Sequence, residues 1–329
     1  MKALLSVRPG PPDTLELTDL PDPEPKAGEL LVRVRACAIN YPDVLIIEDR
    51  YQFKPPRPFA PGGEVAGVVE ALGDGVTGWR VGDRVVAMLG HGGLAERVTV
   101  PAATAFPLPE RYAFEQGAAL ILTYGTVIHA LVDRGRLGPG QTLLVLGAAG
   151  GVGLATVEIG RALGARVVAA ASSEDKAQAA RDAGVDEAIV YAADGVDPKA
   201  LGAQLKVAVG PAGADVVLDP VGGDYAEPAI RSLGWGGRYL VVGFPAGIPR
   251  PPLNLLLLKE ADVLGVFWGA WAAREPAANR AHVEQLFRWW EEGRIAPRVS
   301  RTWPLAEGGA AIAHMAARRA VGKLVVTMD

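Results

Sequence analysis

The residues of this chain best placed to do chemistry form a glycine-dense run, Gly147-Ala-Ala-Gly-Gly-Val-Gly153, directly after the apolar stretch Thr142-Leu-Leu-Val-Leu146. A buried strand that turns through glycines into a helix brings backbone amides and the positive helix end up to a pyrophosphate, so the chemistry on offer is the holding of a dinucleotide. Ala148, Gly150 and Gly153 take the three positions of the G-x-G-x-x-G pattern, with alanine for the first glycine, and Gly151 and Val152 complete the turn. A side chain at Gly150 or Gly153 is expected to block the ligand's approach. Where a carboxylate would hold the adenosine ribose hydroxyls, the chain instead has Ser172-Ser173; Glu174 and Asp175 follow, and Lys176 lies one turn into the next helix. With no carboxylate at the strand tip to repel a 2'-phosphate, and Lys176 available as a point charge, NADPH is expected over NADH. The alternative is that Ser172 or Ser173 caps the helix while Lys176 is solvated, and both readings can hold together.

The glycine turn needs a sheet to carry it. Apolar strand candidates at residues 142–146, 166–171, 187–191, 215–219, 238–243 and 263–268, separated by helical or linking segments, predict an α/β domain with a doubly wound, six-stranded parallel sheet. On that reading Gly243 and Phe244 stand at the carboxyl edge where ligands of such sheets bind, and one strand further on Phe267 and Trp268 either wall the nicotinamide pocket or, as the safer expectation, fill core. The preceding segment has another texture: residues 30–36 alternate as a half-buried strand, and residues 65–72, 84–88 and 95–100 are short strands between Gly and Pro turns. The expected organisation is a β-rich domain over residues 1–118, a dinucleotide-binding domain over 119–268, and a return to the first domain over 269–329, with a helix at 280–292 and a closing strand at 323–327.

Composition bounds the rest. A chain of 329 residues, 50% hydrophobic, with 41 glycines and 26 prolines, suits two globular domains. It has no uninterrupted apolar run of about 18 residues, and residues 1–8 read as a strand rather than a signal peptide, so a cytoplasmic protein is expected. A net charge of −4 without a basic stripe argues against nucleic acid or anionic membranes and leaves small molecules as partners. The single cysteine, Cys37, excludes an intrachain disulfide and a multi-cysteine zinc site, and reads as a buried thiol. His91, His129, His282 and His314 are scattered, and read as surface or core histidines.

Seven segments together resemble the medium-chain dehydrogenase/reductases, in which a GroES-like domain surrounds an inserted Rossmann domain: Ala38-Ile-Asn-Tyr-Pro-Asp43, Pro61-Gly-Gly-Glu-Val-Ala-Gly67, Gly82-Asp-Arg-Val85, Leu122-Thr-Tyr-Gly-Thr126, Gly147 to Gly153, Leu218-Asp-Pro-Val-Gly-Gly223 and Gly322-Lys-Leu-Val-Val326. The likeness is to the zinc-independent quinone oxidoreductase branch. Alcohol dehydrogenases of the family use a Cys in the first loop, a Gly-His-Glu, and a second Cys near the start of the Rossmann domain. Here the loop presents Asn40, the histidine is Gly63, and residues 115–125 hold no Cys. Without three ligands there is no zinc to acidify an alcohol, which disfavours simple alcohol oxidation. What remains is hydride transfer from NADPH to an acceptor that delocalises the incoming charge, a quinone or an α,β-unsaturated carbonyl.

The resemblance further implies that Asn40 orients the nicotinamide or donates to the acceptor oxygen, against the plainer reading of an Asx turn before Pro42. It implies that Tyr51 is a proton donor or substrate clamp rather than an ordinary tyrosine. It gives Thr123 and Thr126 to the nicotinamide and phosphates, Tyr191 to the adenosine phosphate, and Lys323 either to the cofactor or to solvent. Asp219 reads as a turn former, not an acid. A homodimer paired through Rossmann sheet edges is expected from the family alone. The alternatives are a 2-enoyl thioester reductase and a non-catalytic NADPH-binding protein.

Overall fold

The computed structural model describes residues 1–192 and 196–328, and divides into two compact units, residues 1–122 with 297–329 and residues 123–296. Asp329, the last residue of the expected return segment, lies outside the described residues. In chain order the strands are β1 (Lys2–Leu5), β2 (Glu16–Asp19), β3 (Glu29–Ile39), β4 (Glu64–Leu72), β5 (Arg84–Met88), β6 (Arg97–Pro101), β7 (Ala105–Pro107), β8 (Thr142–Leu146), β9 (Arg166–Ala171), β10 (Glu187–Val190), β11 (Ala214–Asp219), β12 (Leu233–Val241), β13 (Asp262–Gly265), β14 (Val299–Pro304) and β15 (Lys323–Thr327).

The first unit is organised on a seven-stranded sheet in the order β14-β15-β3-β4-β5-β7, with β6 also paired to β3, while β1 and β2 form a separate antiparallel pair. Its spine is β3. Leu30, Val32, Val34 and Ala36 point inward and are fully buried while Arg33 is exposed, and from Ala36 to Ile39 every residue is buried because both faces are covered there. Each large aliphatic side chain so enclosed contributes about 1.5–3 kcal/mol. Two strands of modest apolar content, β2 and β14, carry no period-two pattern strong enough to be read from sequence. They are held by pairing with β1 and β15.

The second unit is the α/β domain foreseen from the strand spacing: six parallel strands in the order β10-β9-β8-β11-β12-β13. The central strands are continuous apolar runs, as burial on both faces demands, with Leu143, Leu144, Val145 and Leu146 of β8 fully buried. The chain order reverses between β8 and β11, which makes that junction the topological switch point. The residue expectations differ from the structure in several bounds: the strand expected at 238–243 begins at Leu233, the helix expected at 280–292 begins at Pro276, and two further differences bear on the site. The strand expected at residues 263–268 ends at Gly265, and Trp268 opens the helix Trp268–Arg274. The return to the first unit falls at residue 297, not 269, because residues 269–296 are pinned to the second unit: Arg294 donates to the Ala162 carbonyl, and the Ala296 amide donates to Glu158 Oε2 at 3.0 Å.

Candidate active site

In the second unit, the glycine turn leaves β8 and enters the helix Gly151–Ala162. Gly147 adopts φ +58°, the left-handed region that favours glycine, and a Cβ there would meet Val221 Cγ2 at 2.8 Å. A Cβ on Gly153 would come within 2.3 Å of the Gly147 carbonyl oxygen, so the helix start packs directly on the turn. Gly150 is different: its φ is −70°, and the nearest atom to a built Cβ is 3.6 Å away, so the fold itself tolerates a side chain there. The requirement for glycine at Gly150 belongs to whatever approaches the turn. No side chain caps the helix at Gly150, so the amides of Gly151, Val152 and Gly153, in a first turn that has no intrahelical acceptor, are offered outward. Ala148 is fully buried and its amide donates to the Ala170 carbonyl, tying the turn to β9.

At the tip of β9 the two serines divide the roles that sequence left open. Ser173 caps the helix Glu174–Asp182, its hydroxyl accepting from the Lys176 amide at 3.3 Å, while Lys176 Nζ donates to Ser172 Oγ at 3.1 Å. Lys176 is thus half-buried and aimed back at the strand tip, so the residues present fit a dinucleotide carrying a 2'-phosphate.

The other residues of the expected carboxyl edge are not equivalent. Tyr191 is buried, its ring tilted against Tyr225 at 4.9 Å. Gly243 and Phe244 follow β12, and Phe244 is 43% exposed, beside Gly222. Phe267 is 58% exposed, whereas Trp268 is buried, donates to Asn279 Oδ1 at 3.1 Å and fills the space that a Cβ on Gly125 would need. Gly125 lies in the helix Ile121–Ile128 between Thr123, buried, and Thr126, half-buried. The Asp219 carboxylate is consumed by its own turn, accepting from the amides of Val221 and Gly222 at 2.6 and 2.9 Å and from the Tyr239 hydroxyl. Burial pushes its carboxyl above the usual range.

In the first unit the sheet register assembles a buried polar cluster. The β3–β15 register pairs Ile39 with Leu324, and the β3–β4 register pairs Cys37 with Val65, so Asn40, Lys323 and Glu64 meet at three strand ends. All three are at most 5% exposed. Lys323 Nζ donates to Asn40 Oδ1 at 2.6 Å and to Glu64 Oε2 at 3.2 Å. Asn40 Nδ2 donates to Glu64 Oε2 and to the Ala38 carbonyl, both at 3.3 Å, and Glu64 Oε1 accepts from the Leu122 amide at 2.8 Å. The Asn40 side chain is therefore not spent on an Asx turn. The loop is closed by Asp43, whose carboxylate accepts from the Asn40 amide at 2.7 Å and the Gly62 amide at 2.9 Å. Burial pushes the Asp43 carboxyl up to about 6, against the opposing pull of those amides and of Lys323. The Tyr51 phenol, half-buried against the same core, is raised by burial and by the Asp43 charge.

Asp43 and Glu64 are the site residues that sequence reasoning passed over. The signals were an acid three residues after Asn40 with a Pro between, and a carboxylate next to Gly63 that no nearby cation in the sequence would balance. Zinc does not fit this cluster. Gly63 offers no donor atom, Glu64 is already engaged by an ammonium and two amides, and no group of three or more His, Cys, Asp or Glu among the described residues could hold a metal ion. The Cys37 thiol is pushed well up, first by burial and then by Asp43 and Glu64, as a protonated core thiol would be. The histidines are less scattered than the sequence implied. Asp133 joins His129 at 2.6 Å and His282 at 3.6 Å, with Trp271 stacked against both rings, which ties the turn His129–Arg134 to the helix Pro276–Glu291.

Two family patterns cover most of the chain: the alcohol dehydrogenase GroES-like domain over residues 26–110 and the zinc-binding dehydrogenase domain over residues 151–284. With the six-stranded sheet and the glycine turn, they place the chain in the medium-chain dehydrogenase/reductase family, to which it belongs. Quinone oxidoreductase-like protein 2 of Bos taurus is 36% identical over 302 residues, 91% of this chain and 85% of that one. The quinone oxidoreductase of Rattus norvegicus is 33% identical over 334 residues, 100% of this chain and 98% of that one. A mycobacterial protein solved in complex with NADPH superposes with a TM-score of 0.92 at 29% identity, covering 99% of this chain and 100% of that one. Within the family this chain is an oxidoreductase of the quinone oxidoreductase branch. No described helix is long and apolar enough to cross a membrane.

Proposed function

We propose that this protein is an NADPH-dependent, zinc-independent reductase of quinones or α,β-unsaturated carbonyls. The observation that carries the reading is the pairing of a glycine turn open at Gly150 with Lys176 held at the tip of β9 by Ser172, a pyrophosphate cradle and a phosphate charge on adjacent strands. When bound, the dinucleotide supplies the hydride. The amides of Gly151, Val152 and Gly153 bind its pyrophosphate and Lys176 its 2'-phosphate, with Ala148, Tyr191, Gly243, Phe244, Phe267, Thr123 and Thr126 as further cofactor-side positions, while Lys323 acts through Asn40 and Trp268 serves as core. Asn40 orients the reacting groups. Tyr51, whose hydroxyl has no hydrogen-bond partner among the described residues, delivers the proton to the acceptor oxygen or clamps the substrate. The exposed Trp235, Leu257 and Val263 beside the edge strand β13 support a homodimer joined at that edge. A soluble, cytoplasmic protein agrees with this chemistry.

The test is NADPH oxidation followed by absorbance against parallel panels of quinones, enones and enoyl thioesters, with NADH as the control. Turnover of quinones or enones, with Tyr51→Phe lowering kcat about 100-fold, is the expected result. Preference for thioesters would replace this reading with an enoyl thioester reductase, and tight NADPH binding without turnover would replace it with a binding protein.

A further inference from the structure

We infer that Lys323 and Glu64 are positioning residues that lock the Asn40 amide in one polarity, so that Asn40 acts on its ligand as a hydrogen-bond acceptor and not as a donor. The inference rests on the function proposed above and assigns the roles inside the first unit's polar cluster.

An ammonium can only donate and a carboxylate can only accept. The Asn40 amide lies between one of each: Lys323 Nζ stands 2.6 Å from one end and Glu64 Oε2 stands 3.3 Å from the other. The oxygen must therefore face Lys323 and the nitrogen must face Glu64, since the flipped amide would set N–H against N–H and oxygen against oxygen. The two amide hydrogens go to Glu64 and to the Ala38 carbonyl, so neither is left for a substrate oxygen. What Asn40 can still offer is the second lone pair of Oδ1. In the proposed reaction the group that matches a lone pair is an amide N–H, which the nicotinamide carboxamide carries. A quinone or enone oxygen, itself an acceptor, does not match. The proton or hydrogen bond for that oxygen must then come from elsewhere, and the Tyr51 hydroxyl, beside the same core, is a donor able to provide it.

The register that builds this lock is local to three strand ends. Lys323 is the first residue of β15, Glu64 the first of β4, and Asn40 the residue after β3, so a shift of one residue in either pairing would separate them. The Lys323 ammonium also neutralises Glu64 where both are nearly sealed from water, with side chains 3% and 1% exposed. A purely structural role would be satisfied by that charge balance alone, and the experiment must separate the two.

The full-length chain is compared with Glu64→Gln, Lys323→Met and the double variant, measuring the melting temperature without ligand, NADPH affinity by fluorescence titration, and kcat. Lys323→Met alone leaves a buried carboxylate without a cation and should melt well below wild type. The double variant removes both charges and should regain most of the lost melting temperature, yet keep an NADPH affinity about tenfold weaker and a kcat about 10- to 100-fold lower, because the amide is free to flip. Glu64→Gln leaves the buried ammonium without its carboxylate and should also melt below wild type, while Lys323 still holds Asn40 Oδ1, so its NADPH affinity and kcat should fall less than in the double variant. Recovery of melting temperature, affinity and kcat together in the double variant would reduce the pair to charge compensation and overturn the inference. A wild-type protein that neither binds NADPH nor turns over any acceptor would instead refute the proposed function.

Discussion

Alanine at Gly150 and alanine at Gly153 differ by one small step in sequence and should produce opposite phenotypes. At Gly153 the new Cβ would lie 2.3, 2.6 and 2.7 Å from the Gly147 oxygen and the Ala148 carbonyl carbon and Cα, all backbone atoms that cannot rotate away. Restoring ordinary contact requires the helix Gly151–Ala162 to move off the turn by about 1 Å, an overpacking displacement worth about 3 kcal/mol. At about 2–4 °C per kcal/mol for a unit of this size, the melting temperature should fall by ~6–12 °C. At Gly150 the backbone φ of −70° suits alanine and the nearest atom is 3.6 Å away, so only the small capping difference of about 0.5 kcal/mol is lost. The same methyl is added at the residue that opens the helix, next to its first-turn amides, and should weaken NADPH binding at least ~10-fold, about 1.4 kcal/mol. Calorimetry of the ligand-free protein and fluorescence titration with NADPH read the two effects separately. Equal destabilisation by the two alanines, or wild-type NADPH affinity in Gly150→Ala, would refute the argument that the fold demands glycine at Gly153 and the ligand demands it at Gly150.

Two other substitutions address the buried carboxylates. Because Asp43 titrates near 6 when folded and near 3.8 as a free side chain, the folded state holds the extra proton, so stability from this group is greatest below pH ~4 and falls by up to ~3 kcal/mol as pH rises to ~6. Denaturant unfolding across that window should show the fall in wild type and lose it in Asp43→Asn; an unchanged pH slope in the variant would contradict the assignment. Tyr239→Phe takes one donor from the buried Asp219 carboxylate and should destabilise by about 1–3 kcal/mol while leaving kcat unchanged, as unfolding curves and steady-state rates would show. A drop in kcat with unchanged stability would mean that Asp219 does more than shape its turn.

What local sequence determined here was whatever depends on neighbours in the chain. The apolar runs of β8 and β9 had to be strands buried on both faces, the glycines from Gly147 to Gly153 had to turn tightly into a helix, and the alternation of Leu30, Val32 and Val34 had to be a half-buried strand, since each pattern has only one low-energy burial. That residue 63 offers a metal no donor was also legible, because a glycine side chain has none wherever it lies. The tertiary structure decided what depends on residues far apart. Lys323 and Asn40 are 283 residues apart, and only the β3–β15 register could show that the lysine faces neither solvent nor an open ligand edge but the amide of Asn40. The fates of Phe267 and Trp268 were likewise beyond sequence: one is exposed and the other buried against Gly125, because a helix begins where a strand was expected to continue. Asp43 and Glu64 complete the case. An acid's role follows from the cation and amides that fold against it, and a one-dimensional pattern does not contain those partners.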